Sequence, residues 1–451
     1  MNDNHDENLV GRIEDDLIAQ QLPERATFIP LRQIDLRAKL AEEFSIESQE
    51  LEDFRHLCAR LQAIFHVEHL SALLHLEELY DTLDPDSQLV DLDTIEPAVR
   101  NRLANTLMDR LSGLLFSAHY KKLTKTELEA AIEIGCQWGV QLEVDFEIFD
   151  RLEIFARGYK TVKVHRRRWQ NFYRQETIEL PEFQRLIMAF RVKRDPEYDQ
   201  KKKKDDSDLN HKFVYLKTFK NIPETDLEIL LPGSKVRLTK MDRAKILLPT
   251  LSGVAITVYK ITRGLLVLAL VFTLKNLIVW VAAIGAVIGY IVKSVLSYFR
   301  TKTKYQFGLT QSLYLKNLDN NSSVIYRILN EAEEQELCEA ILAYTMLWKH
   351  ADVRNPSDDS HGGLTEEELD DVVEAYLLKV AKTDVDFEVH DALGKLARLG
   401  LAHVDSKGNW RVSDIKEATS YLNENWNALF ESRARAVGTG EPLEDLSLIH
   451  I

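Results

Sequence analysis

GLLVLALVFTLKNLIVWVAAIGAVIGYIV, residues Gly264 to Val292, is the stretch whose solvent decides how the rest of the chain is read. Its strongly or moderately polar side chains are Thr273, Lys275 and Asn276, the last two adjacent and near the middle. A soluble core helix rarely needs such a run, whereas a bilayer asks for roughly 20 apolar residues per spanning helix. As one helix it would be about 43 Å long, against a hydrocarbon core of about 30 Å, with Lys275 near the centre at a cost of roughly 2.5–3.5 kcal/mol. As a helical hairpin it would turn at Lys275 and Asn276, each arm borrowing from its flank.

Both flanks are basic. Lys235, Arg237, Lys240, Arg243 and Lys245 precede the run, and Lys293, Arg300, Lys302 and Lys304 follow it. Such residues favour the cytoplasmic side of a membrane, so the two ends belong on one side and a membrane helical hairpin over 246–300 is expected. Lys260 and Arg263 shorten its first arm and would have to snorkel to the headgroups. A single pass over about Leu277–Leu296 is the other lipid geometry, and a helical hairpin inside a globular core is the one without lipid. Ala282, Gly285 and Gly289 put small residues on one helix face, where a second arm or a second protomer could approach closely.

The remainder is ordinary globular composition: 451 residues, net charge −15 and three cysteines far apart without any C-x-x-C. The charge argues against a nucleic-acid partner, and the cysteines exclude a zinc ribbon or a disulfide framework. The first 24 residues are acidic, lack the apolar core of a secretory signal, and are expected to be disordered. Residues 25–150 read as a helical domain. Leu51, Phe54, Leu57, Leu61, Ile64 and Phe65 recur at helical spacing, and Thr124 to Glu127 has capping-box form.

From 151 to 245 aromatic and β-branched runs such as LIMAFRV (Leu186–Val192) and FVYLKTF (Phe213–Phe219) predict a small antiparallel sheet domain, interrupted by a charged insert at 195–211. Strand pieces are expected on either side of Gly158 and Lys160, and Gln175–Leu180 as a short strand. Residues 301–354 read as linker and helix. Residues 363–430 give helix, helix, then a hairpin around Ser406–Asn409, the outline of a winged helix. Its second helix offers Lys395 and Arg398 against Glu388 and Asp391, which suits protein contact or structural closure better than DNA. Residues 431–451 form a tail, of which 446–451 reads as translated sequencing adapter.

No residue set commits the chain to a reaction, and no catalytic, cofactor or metal residues are expected. His66 and His69 lack H-E-x-x-H form and read as satisfied groups on a helix surface. Phosphate-cradling glycine loops and the G-x-S-x-G elbow are missing from the sequence. Asp145, Glu147, Asp150 and Glu153 alternate with Val144, Phe146 and Phe149, as a solvated face does over a buried one. Arg166, Arg167, Arg168 and Trp169 form a candidate contact for anionic lipid, with an exposed basic turn as the plain reading.

ATFIPLRQIDL near the start, FHVEHLSALLHLEELYDTLDPDS, KKLTKTELEAAIEIGCQWGVQLEVDFEIFDRLEIFARG and VYLKTFKNIPETDLEILLPGSKVRLTKMDRAKILLPTLSG together resemble the DUF3754 family of uncharacterised membrane proteins, which includes transmembrane protein 143. The resemblance covers about residues 25 to 430. It implies one or two transmembrane segments and no established activity. Some relatives carry a hydrolase-like label, but the family supplies no catalytic residues. The expected protein is α+β and mostly helical. It is an integral membrane scaffold with soluble domains on the cytoplasmic side, whose partners are the lipid bilayer, other proteins and a second copy through the membrane helices. A membrane-surface enzyme with unidentified residues is the alternative.

Overall fold

The computed structural model describes residues 25–46, 48–87, 95–137, 141–143, 145–167, 175–193, 209–232, 235–237, 314–350, 363–424 and 426–427, with the single positions 285, 289, 292, 293, 296 and 300. Two compact units emerge, one from residues 1–123, 149–220 and 319–451, the other from 124–148 and 221–318.

The first unit is carried by two long helices. After α1 (Gln33–Glu43) comes α2 (Ser48–Asp81), and far along the chain lies α6 (Ser322–His350). Phe54, Leu57, Leu61, Ile64 and Phe65 of α2 pack in one core with Leu337, Ile341, Tyr344 and Leu347 of α6. Leu76 and Tyr80 of α2 and Val324, Ile325 and Ile328 of α6 enter a second core. Each helix therefore passes through both cores. The second core is closed by α3 (Pro97–Ser117). Pro97 occupies its first turn, where a missing amide proton costs nothing.

A five-stranded sheet packs on that core in the order β1-β3-β4-β5-β7. The strands are β1 (Lys121–Lys122), β3 (Phe149–Arg167), β4 (Gln175–Val192), β5 (Tyr215–Pro223) and β7 (Asn317–Asn320). β3 and β4 pair antiparallel from Phe149 opposite Val192 to Arg167 opposite Gln175. The sequence divides these strands at Gly158 and before Pro181, but the structure runs straight through both. Gly158 takes φ +70° without breaking the pairing, because Arg157 still faces Arg185 and Tyr159 still faces Phe183. Pro181 keeps its place opposite Thr161.

The C-terminal part follows the winged-helix order. A bridge joins Leu364 to Trp410. Then come α7 (Glu366–Ala381), α8 (Val389–Arg398), the hairpin of β8 (Ala402–Val404) and β9 (Trp410–Val412), and a helix over 415–424. Thr365 and Glu368 form the capping box that their spacing predicts: the Glu368 amide donates to the Thr365 hydroxyl at 3.2 Å and the Thr365 amide to the Glu368 carboxylate at 2.9 Å.

In the second unit, α4 (Lys125–Gln137) starts on the other capping box, with the Thr124 amide donating to Glu127 at 2.7 Å. β2 (Gln141–Glu143) pairs antiparallel with β6 (Lys235–Arg237), and α5 (Leu227–Leu230) is a single turn.

The membrane hairpin expected in the fold is corrected here. Among the described residues, no helix is long and apolar enough to cross a membrane. The fold is α+β with a five-stranded sheet, and the longest helices among the described residues, α2 and α6, are spent on the two globular cores. Lys275, Asn276 and Ala282 lie outside the described residues, as do 1–24 and most of the charged insert.

Candidate functional site

On α6 the buried face carries Glu331, Gln335 and Glu339, each four residues from the next and hence on one stripe of the helix. A buried charge or amide is tolerable only if another group answers it. Here each rung is answered by a different part of the chain.

Glu331 takes Arg157 of β3 at 2.7 Å, and the Tyr120 hydroxyl donates to it at 2.6 Å. Arg157 lies over the rings of Phe28 (5.1 Å) and Tyr120 (4.8 Å), and its other amino group donates to the Ala118 carbonyl at 3.1 Å. That guanidinium is fixed in both plane and direction. Burial pushes the Tyr120 hydroxyl far above the ordinary tyrosine value, so it stays protonated as a donor.

Gln335 binds a strap, residues 25–31, that crosses α6. The Ile29 amide donates to its side-chain oxygen at 2.8 Å, and its own amide donates back to the Ile29 carbonyl at 3.1 Å. One glutamine thus replaces a strand neighbour for an otherwise unpaired residue. Ala26 pairs with Val385, and Arg25 meets Glu374, Asp384 and Asp386, which ties the strap to the C-terminal part.

Glu339 is 1% exposed and holds Lys395 of α8 at 2.9 Å and the His119 ring at hydrogen-bond contact. His119 reaches it from the turn after α3, where φ of +57° swings the backbone out of helix. Lys395 also meets Asp391 at 3.1 Å and Glu336 at 3.8 Å, and Glu336 lies 3.7 Å from His69. Beside them Arg398 grips Glu68 of α2 through both amino groups, at 2.7 and 3.0 Å. Burial favours the neutral acid at Glu339, but Lys395 and His119 outweigh it and hold the carboxyl below its ordinary range. At Glu336 burial prevails over Lys395 and the carboxyl is pushed up. Burial disfavours the Lys395 ammonium, yet Glu339, Glu336 and Asp391 more than offset it and raise its value.

This is a relay of titratable groups joining α2, α6, α8 and the turn after α3. Its ion pairs hold those elements together. Among the described residues no group of three or more His, Cys, Asp or Glu side chains could hold a metal ion. A comparable internal cluster sits on the sheet, where Glu153 takes Lys122 and Ser112, both at 2.8 Å, and Arg151.

Several readings of the sequence change against this geometry. His66 is exposed and meets Glu333, but His69 is buried rather than on the surface. Glu153 is buried too, not part of a solvated face. Arg166 and Arg167 close β3 opposite Glu176 and Gln175, while Arg168 and Trp169 lie outside the described residues. Gly285 and Gly289 are exposed helical positions with open space where a side chain would stand. Of these, His69 is brought to the cluster around Glu339, through Glu336. Glu331, Gln335 and Glu339 escape a motif search because they match no motif. Their signal is polar residues at four-residue spacing inside a run whose apolar partners are Ile328, Leu329, Ala332 and Ile341.

Residues 183–323 match the family described as a protein of unknown function, DUF3754. Over that stretch the chain is similar to the DUF3754 family. The matched stretch begins in β4 and ends at the start of α6. Arg185, which lies 3.7 Å from Glu331, falls inside the matched stretch, whereas the stripe from Glu331 onward follows it. No solved structure matches the chain.

Proposed function

We propose that this protein is a membrane-associated scaffold that presents its folded units at the cytoplasmic face for protein partners or anionic lipid. The observation that carries the scaffold half is the use of its buried charge. Lys395 and Arg398, the basic residues of the helix that a winged-helix reader turns toward DNA, are engaged by Glu339, Glu336, Asp391 and Glu68. That supports a module built for contact within a protein assembly. The membrane half is supported by the sequence of Gly264–Val292 and its basic flanks, through which the chain would associate with lipid.

Alkaline carbonate washing of membranes from cells expressing the full chain tests this. Retention in the pellet, lost on deletion of 264–292, is the expected result. Recovery of the intact chain in the supernatant without detergent would overturn it.

A further inference from the structure

The strap of residues 25–31 lies in the first unit as a bound extended peptide would. The Ala26 amide donates to the Asp384 carbonyl at 2.8 Å, and the Asp386 amide donates to the Ala26 carbonyl at 2.7 Å. Further along, the main chain of Ile29 places both its amide and its carbonyl on the Gln335 side chain. Such main-chain bonds are open to almost any residue. They give a peptide groove its affinity, while side-chain pockets give it specificity.

Two side chains supply that specificity. Arg25 enters an acidic seat made by Glu374, Asp384 and Asp386, and also donates to the Val385 carbonyl at 2.9 Å. Ile29 is 3% exposed and belongs to the core shared by α1, α2, α6 and α7. Without an occupant the three carboxylates would lose their guanidinium and the apolar pocket would be open to water. The groove therefore calls for a cation and, four positions later, a branched apolar side chain.

Elsewhere the strap is held lightly. Thr27 and Pro30 are exposed, and the Arg25 side chain keeps 37% of its exposure. A cleft of about 680 Å³, lined by the strap and by Ala156 to Tyr159 of β3, opens along one flank. The strap ends at Arg32, the cap of α1, so its departure breaks no helical turn.

We propose that this groove is a docking site for an extended peptide of another protein with the pattern Arg-x-x-x-Ile, which the strap fills in cis as an autoinhibitory plug. Tethered to its own chain, the strap competes at high effective concentration, and the site stays closed until the strap is displaced. The inference goes beyond the scaffold role and does not depend on membrane association.

Fluorescence anisotropy of a labelled peptide RATFIPLR, residues 25–32, mixed with the full chain tests the site. Arg25→Ala combined with Ile29→Ala in the full chain weakens the plug and leaves the groove residues in place. Saturable binding to this variant is expected, at least about tenfold tighter than to the native chain. A peptide with alanine in place of its first arginine should bind at least about tenfold more weakly, because charge-assisted bonds are lost. Unchanged circular dichroism verifies the fold of the variant. Should it change, Ala26→Pro, which removes the amide bonded to Asp384, takes its place. A folded, plug-weakened chain that binds no peptide, or binds both peptides equally, would overturn the proposal. So would a dimer of the native chain that either variant dissociates, because the strap would then serve a second copy. Each outcome reads the same whether or not the chain fractionates with membranes.

Discussion

Lys395 shows how the meaning of one residue depends on what it faces. In the sequence it is a lysine on the second helix of a winged-helix outline. In the structure its side chain is 12% exposed and its ammonium meets Glu339. Removing one partner of a buried pair strands the other, at a typical cost of 3–5 kcal/mol, whereas replacing both with apolar groups can be nearly neutral. Lys395→Met should therefore destabilise the first unit by about 3–5 kcal/mol, and Lys395→Met with Glu339→Leu by clearly less, in urea unfolding. A double variant as unstable as the sum of the two singles would show that the groups do not interact.

The pair also has a pH signature. Glu339 is held below its ordinary value, so its contribution is present above the unfolded carboxylate value, about 4.3, and is lost as pH falls through the folded one. Lys395 is raised, so its contribution is complete below about 10.4 and lost only as pH climbs through the folded value. The Glu339–Lys395 pair is thus intact at neutral pH and weakens toward both the acid and the alkaline extreme.

Asp370 behaves in the opposite sense. Burial, then Glu374 and Asp386, push it up to about 6, and one of its oxygens is buried without a partner among the described residues. A raised carboxyl favours the fold below the unfolded value and opposes it as pH rises through 6. Asp370→Asn should flatten the fall in melting temperature between about pH 4 and 6. An unchanged slope would contradict that assignment.

At the scale of elements, what the sequence makes legible is what nearest neighbours determine. Thr365 and Glu368 announce a helix start because the capping contact is local, and the structure forms it. Thr365→Ala should cost about 1 kcal/mol, read as a shift of the urea midpoint without a change of slope. LIMAFRV is legible as strand because its residues suit a pleated, half-buried surface.

The division of β3 at Gly158 misleads for a physical reason. Glycine usually punctuates a strand, but here the register to β4 continues on both sides of it and accommodates its positive φ. The stripe on α6 is the hardest feature to read. Glu331, Gln335 and Glu339 are each ordinary on a helix, and their partners lie between 56 and 306 positions away in sequence. Only the packing of the chain reveals why they are polar.

For the whole molecule, α2 and α6 passing through both cores means that neither core can open without disturbing the other. The three rungs of the stripe then attach the sheet, the strap and α8 to that frame. The long apolar run, Gly264–Val292, lies outside the described residues except at 285, 289 and 292. Its hydropathy predicts a membrane element, yet no helix among the described residues meets the length and apolarity that crossing demands.

Hydrogen exchange on the full chain carrying Lys395→Met tests most directly the claim that the stripe docks the C-terminal helices on α6. Amides of α8 and of residues 26–31 should exchange markedly faster than in the native chain, while those of 149–157 in β3 keep their protection. Unchanged protection of α8, or an equal loss across the whole first unit, would contradict it.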